Sequence, residues 1–297
     1  IRNKNRCKDY VLYDFDEQMR NVIINGFFMN DRTGTGCYYL PGIDVEIDIS
    51  SRIPIPTRRK TAWKSMLKEY LWFLTGSSEI DDLRAMGSNV WNFWEDPSWA
   101  SKNGFPPSSI GYGYGPNLIH FGGDLSNLKE NPGVNQIDVV LDTLRKNPND
   151  RGILFSFYRP DKSKSTDVKL RPCHVLYQFV VTPNQYGEMK NLNCIMYQRS
   201  SDMFVGNLST NLQGGAFYTH MIAQQVGMVP CKLYHKSGHA HVYANHVNLV
   251  KEYLNRPIVK SPILKLNKRD SIYDYTADDF ELEEYSPLSK MNVPISV

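Results

Sequence analysis

The 297-residue chain predicts an α/β fold of the α+β kind, in which helices flank one large, largely antiparallel or mixed sheet. Three observations carry that expectation. Strand-like runs follow one another after position 150 instead of alternating with long helices. One strongly amphipathic segment, at 60–75, marks a core helix. The composition, 41% hydrophobic and 12% aromatic, suffices to bury a sizeable core in one or two domains.

In chain order, residues 44–49 alternate as a strand does. Within 60–75, Trp63, Met66, Leu67, Tyr70, Leu71 and Leu74 recur at helical steps, and Gly76 follows as a stop. Residues 76–135 are rich in Gly, Pro, Ser, Asn and Trp, lack sustained periodicity, and read as a small insertion on the main body. Ile137, Val140, Leu141 and Leu144 share one helical face before the Asn147-Pro148-Asn149-Asp150 turn. Runs at 153–158, 175–181 and 193–197 predict strands. A third helix is expected to open near 209–211 and to run to Val226.

With 34 Lys+Arg against 31 Asp+Glu, the net charge of +3 is too small for a duplex-binding surface, so no nucleic-acid partner is expected. No apolar run reaches the roughly 18 residues of a membrane span, and residues from Ile1 onward are polar rather than signal-like. A soluble, cytoplasmic protein is expected. The five cysteines form no CxxC pair and make a poor disulfide framework, which fits a reducing compartment and leaves a thiol for chemistry.

Cys173 lies in Arg171-Pro172-Cys173-His174, at the mouth of the 175–181 strand. A thiol of ordinary pKa is only a few per cent thiolate at pH 7, and a neighbouring cation raises that fraction. His174 and several arginines are at hand; the competing reading is a packed structural cysteine. In Gln198-Arg199-Ser200-Ser201-Asp202, the guanidinium and hydroxyls suit a phosphate and the aspartate suits ring N–H groups, or the segment is a turn with an internal ion pair. Asp31-Arg32-Thr33-Gly34-Thr35-Gly36 is a glycine-rich loop that either approaches an anion or turns a hairpin; without a GK[ST] ending it is no ATP-hydrolysing loop. His241 and Tyr243 alternate along a further strand and face one side. Glu69 sits between Met66 and Phe73, either buried with a raised pKa suited to proton relay or at the wet edge of the stripe. His235, His239, His241 and His246 lack the spacing of a recognisable zinc set, so no metal is expected.

Taken in order, Arg32-Thr-Gly-Thr-Gly, Glu69-Tyr-Leu-Trp-Phe-Leu-Thr-Gly, Val90-Trp91-Asn-Phe-Trp94, Tyr112-Gly-Tyr114-Gly, Asp150-Arg151, Pro172-Cys173-His174, Tyr197-Gln-Arg199-Ser-Ser-Asp202 and His241-Val-Tyr243-Ala-Asn-His246 resemble the thymidylate synthase family, which includes the pyrimidine nucleotide hydroxymethylases. The resemblance implies a thymidylate synthase-like fold over 26–297, with 1–25 as an N-terminal extension, and a homodimer that binds dUMP and 5,10-methylenetetrahydrofolate. It implies that the Cys173 thiolate adds to the pyrimidine C6 and makes C5 a carbon nucleophile. Glu69 and Tyr114 would serve proton transfer. Arg32, Arg199, Ser200 and, from the other subunit, Arg151 would hold the phosphate. His174 and Gln198 would line the nucleotide, His241 and Tyr243 would hold the sugar 3′-hydroxyl, Asp202 the pterin ring, and Trp91, Trp94 and the tail ending at Val297 the folate.

The chain departs from the family pattern in places. Gly152 stands where a second arginine is usual, which leaves phosphate binding weaker or dependent on Arg59 instead, and His239 stands where an aspartate is common. Asn117-Leu118-Ile119 replaces a Gln-Trp-Arg. The segment from Asp202 to the base-reading asparagine is one residue longer, which makes Asn211 the reader, with Asn207 as the alternative. An amide there suits uracil, a carboxylate cytosine. The retained tail favours exclusion of water and a methyl product; the 203–211 departures and Gly152 favour a dUMP hydroxymethylase, or less so a dCMP hydroxymethylase. From other classes, the histidines with Asp202 would make a metal-dependent hydrolase, and Lys162, Lys164, Lys169 and Arg171 an RNA-binding face.

Overall fold

A computed structural model describes residues 9–30 and 34–294. Among them, strands β1 (Phe27–Met29), β2 (Cys37–Asp48), β3 (Leu154–Ser156), β4 (His174–Pro183), β5 (Met189–Gln198), β6 (Ser201–Asp202) and β7 (Val229–Tyr243) form one mixed sheet. Its order is β1-β2-β7-β5-β4-β3, with β6 pairing β7. Only the β5–β7 and β6–β7 pairs are parallel. The helices are α1 (Tyr13–Asn25), α2 (Trp63–Leu74), α3 (Ile80–Ala85), α4 (Pro97–Lys102), α5 (Tyr114–Ile119), α6 (Gln136–Lys146), α7 (Leu212–Val226) and α8 (Val247–Asn255). β8 (Ile263–Leu266) and β9 (Phe280–Glu283) form a separate hairpin. No helix among the described residues is long and apolar enough to cross a membrane.

The expected helix at 60–75 is α2, which starts at Trp63 and ends before Gly76 at φ +74°, a conformation that costs a side-chain-bearing residue and so stops the helix. Strand β2 extends upstream of 44–49 to Cys37 because it pairs with β7 along most of its length. Pro41 is tolerated there: the last β1 partner along β2 is Tyr39, so the missing N–H would have faced no neighbour. The 153–158 run keeps only three ladder residues as β3. From within the segment set apart at 1–25, α1 drives Phe15, Met19 and Val22 into the core against β2 and β7.

Helix α7 is buried on nearly every side and packs on β5, β7 and α2. A side chain at Gly214 would meet the Tyr70 ring at 1.8 Å, so glycine is what lets α2 bring Tyr70 close against α7. Ahead of α7, residues Met203–Asn211 are wound as a π-helix, the wider form in which one extra residue is taken up without breaking the axis. This is the stretch that is one residue longer than the family pattern. Within 76–135 the periodicity is absent because the helices are short; α5 nevertheless packs on α2 and buries Tyr114.

Candidate active site

The antiparallel β4–β5 register pairs His174 with Gln198, and thereby joins two motifs distant in sequence. Cys173, one residue before β4, accepts at its carbonyl from the Arg199 amide, one residue after β5, at 2.9 Å. Its own amide donates to the Tyr114 hydroxyl at 2.7 Å. Both sides of the Cys173 peptide are therefore fixed. The Arg199 guanidinium donates to the Pro172 and Arg171 carbonyls at 2.8 and 2.9 Å, which holds Nη2 4.0 Å from Cys173 Sγ. A cation so placed favours thiolate.

His174 does not supply that cation. Burial pushes its imidazole down to about 3, so it is neutral at working pH. It stacks on Tyr114 at 4.3 Å, and its Nδ1 meets the Tyr177 hydroxyl at 3.1 Å. Arginine, which keeps its charge, carries the electrostatics at the thiol.

Of the two placements open to Glu69, the buried one is found. Trp91 donates its indole N–H to Oε1 at 2.6 Å, and Oε2 has no hydrogen-bond partner among the described residues. Burial pushes the carboxyl up to about 7, only partly opposed by the Trp91 hydrogen bond. Trp91 is itself buried, with its ring edge-on to Trp72 and Tyr114; Trp94 is half-buried beside Phe93. Burial holds the Tyr114 hydroxyl well above its ordinary pKa, so it acts as a neutral hydrogen-bonding group.

The base-reader alternatives separate by burial. Asn207 is fully buried, where its amide meets Ser201 Oγ and the His235 ring. Asn211 is half-buried and accepts at Oδ1 from Gln198 Nε2 at 3.0 Å, with Nδ2 3.4 Å from the Tyr70 hydroxyl. The π-helix thus keeps Asn211 facing Gln198 in spite of the added residue. Asp202 makes no ion pair among the described residues; its carboxylate caps the π-helix by accepting from the amides of Phe204, Val205 and Gly206. Arg59 ties the same segment down, donating to the Phe204 carbonyl at 2.6 Å and to Ser209 Oγ at 2.7 Å.

The β6–β7 pairing sets Asp202 opposite His241. His241 is buried with its ring edge-on to Tyr243, and Nδ1 lies 3.3 Å from Nδ1 of His239, which stacks on Tyr39. His246 Nε2 bonds the Pro294 carbonyl at 2.7 Å and so brings the tail back to this side of the fold. Among the described residues, no group of three or more His, Cys, Asp or Glu is placed to hold a metal ion. Arg151 is exposed in the turn before β3, where Gln178 donates to its carbonyl at 2.9 Å. Arg32 and Val297 lie outside the described residues.

A family model described as thymidylate synthase matches residues 13–297. The chain belongs to the thymidylate synthase family. The chain is similar to a protein named thymidylate synthase from Herpesvirus ateles, 33% identical over 293 residues, covering 96% of this chain and 98% of the relative. Another, from Varicella-zoster virus (strain Dumas), is 31% identical over 278 residues, covering 91% and 89%. Motif reading gave no role to Tyr70 or His235, and it offered Arg59 only as a substitute phosphate cation, whereas Arg59 is buried and donates to Phe204 and Ser209. The histidine run pointed at His235 without a role, and no local signal marks what Tyr70 and Arg59 bond, since their partners come from distant elements.

Proposed function

We propose that the protein is a thymidylate synthase, converting dUMP and 5,10-methylenetetrahydrofolate to dTMP and dihydrofolate through a covalent Cys173 adduct. The observation that carries this reading is the Cys173 clamp: an amide held by Tyr114, a carbonyl held by Arg199, and the same arginine's guanidinium 4.0 Å from the sulfur. In this reading Cys173 bonds to C6 of the pyrimidine, pushing electrons toward C5 and the C4 carbonyl, because C5 is otherwise too unreactive to take up a one-carbon unit. The folate supplies that unit and the hydride. Glu69, whose Oε2 has no partner among the described residues, and Tyr114 pass the protons to and from C5, and Trp91 fixes the carboxyl for this task.

Arg199 has spent Nε and Nη2 on carbonyls and directs its remaining donors, with Ser200 and Arg32, to the phosphate. His174 and Gln198 line the base, Asn211 reads it, and His241 with Tyr243 takes the sugar hydroxyl. Asp202 and Trp94 serve the pterin, and the tail through Val297 closes over it. A homodimer fits the outer sheet face, on which Leu154, Val180 and Tyr197 are 36%, 39% and 42% exposed. Arg151, exposed beside edge strand β3, is the group to reach the other subunit's phosphate. An intracellular location agrees with this chemistry.

The hydroxymethylase alternative is not favoured. It rested on the 203–211 departures and on Gly152, and at the first of these the π-helix leaves Asn211 beside Gln198. The relatives named above are thymidylate synthases. Incubation with dUMP and methylenetetrahydrofolate, followed by weighing of the nucleotide and identification of the folate, tests the choice. A methylated base with dihydrofolate is expected. A base heavier by a hydroxymethyl group, with tetrahydrofolate, would overturn it.

A further inference from the structure

We infer that His235 is a positioning residue for base selection: as its Nε2–H tautomer it fixes the Gln198 amide, which in turn orients the Asn211 amide for uracil. The inference rests on Asn211 as the base reader. His235 lies on β7, fully buried, on the far side of Gln198 from Asn211.

An imidazole nitrogen is a donor or an acceptor, never both. His235 Nε2 lies 3.1 Å from Gln198 Oε1 and 3.2 Å from the Asn207 amide. Gln198 has no freedom to turn round, because its NH₂ group already donates to the Ser200 backbone carbonyl at 2.9 Å, and a carbonyl can only accept. Its Oε1 therefore faces the ring and needs a hydrogen there, so Nε2 carries the proton. Asn207, whose two amide ends have nearly the same shape, then presents Oδ1 to that hydrogen. The other ring nitrogen, Nδ1, is buried with no hydrogen-bond partner among the described residues. That is tolerable for a lone pair and costly for an N–H. Burial also holds the imidazole down, at about 4, so the ring stays neutral and keeps one tautomer across the working range.

The polarity then propagates outward. Gln198 turns its NH₂ toward Asn211, Asn211 must offer Oδ1 to it, and its NH₂ is left toward the base side near Tyr70. An amide held this way donates to the uracil O4 and keeps a lone pair for N3–H. The reversed chain would present the pattern that cytosine matches. Loss of the His235 hydrogen removes one of two anchors on Gln198, so discrimination should weaken without vanishing.

The test compares dUMP and dCMP binding by calorimetry in wild type, His235→Phe and His235→Gln, alongside kcat and KM. Phe keeps a ring and removes the donor; Gln places an amide N–H where Nε2–H stood. The dUMP-to-dCMP affinity ratio is expected to fall about tenfold in His235→Phe, as for one lost hydrogen bond, and to recover in His235→Gln. An unchanged ratio in a folded His235→Phe would overturn the inference. Nitrogen NMR of labelled wild-type protein covers the case of a variant that does not fold: a proton on Nδ1 of His235 would also overturn it. Failure of wild type to bind dUMP, or an Asn211→Asp variant with unchanged base preference, would instead remove the reading on which it rests.

Discussion

Asp16 on α1 and Glu69 on α2 are both buried carboxyl groups, and burial pushes both up to about 7. Their surroundings differ. Asp16 faces Arg58 at 3.1 Å and accepts from the Tyr10 hydroxyl at 2.6 Å, while Tyr10 reaches on to Tyr253 of α8. Among the described residues Glu69 has one neutral donor, Trp91, whose ring is edge-on to Tyr114, and its other oxygen has no partner. The same desolvation therefore serves two ends. Beside a buried cation it yields a cross-link between elements, and beside a neutral donor it yields an acid poised to exchange protons near pH 7.

The comparison breaks first if Glu69→Gln remains active. A carboxyl that relays protons is worth about 10²–10⁴ in rate, so kcat should fall by that factor with dUMP affinity little changed. Steady-state kinetics with calorimetric dUMP binding checks this. At the other carboxyl the effect moves to stability. Above pH 7, where Asp16 is ionised, Asp16→Asn strands the Arg58 guanidinium in the core and should cost about 3–5 kcal/mol in urea unfolding, with kcat per folded molecule retained. Equal losses of activity in both variants would erase the distinction.

A smaller effect sharpens it. Both folded carboxyls hold protons above their ordinary values of 3.8 and 4.5, so between about pH 4 and 7 the folded state binds more protons than the unfolded one. Their contribution is complete below the unfolded pKa and is lost as pH rises toward 7. Glu69→Gln removes the cleft's share of that loss, so the variant should gain on wild type in urea midpoint between pH 5 and 8. A constant difference across that range would contradict the raised pKa at Glu69.

The sequence made visible what depends on local pattern. Trp63 to Leu74 announce α2 because their spacing matches one helical face, and Cys173 stands at a strand mouth because an apolar run follows it. Long-range pairing stayed hidden. Whether Glu69 is wet or dry depends on Trp91, which arrives from beyond α2. The cation at Cys173 is Arg199 and not the adjacent His174, because β4–β5 register outranks sequence adjacency and burial silences the imidazole. Asp202 also caps a π-helix, a bond set that no local pattern announces, and the helix's extra residue was legible as an insertion but not as a winding. His235 gains Gln198 through the parallel pairing of β5 with β7 and Asn207 from the π-helix packed beside them.

The central claim is a sulfur–carbon bond at Cys173, and intact-protein mass measured during quenched turnover tests it most directly. Wild type should carry a fraction heavier by the nucleotide, mapping to the peptide that contains Cys173, while Cys173→Ser should bind dUMP, show no such mass and form no product. Turnover by the serine variant, or wild-type turnover with the added mass on another residue, would contradict the account.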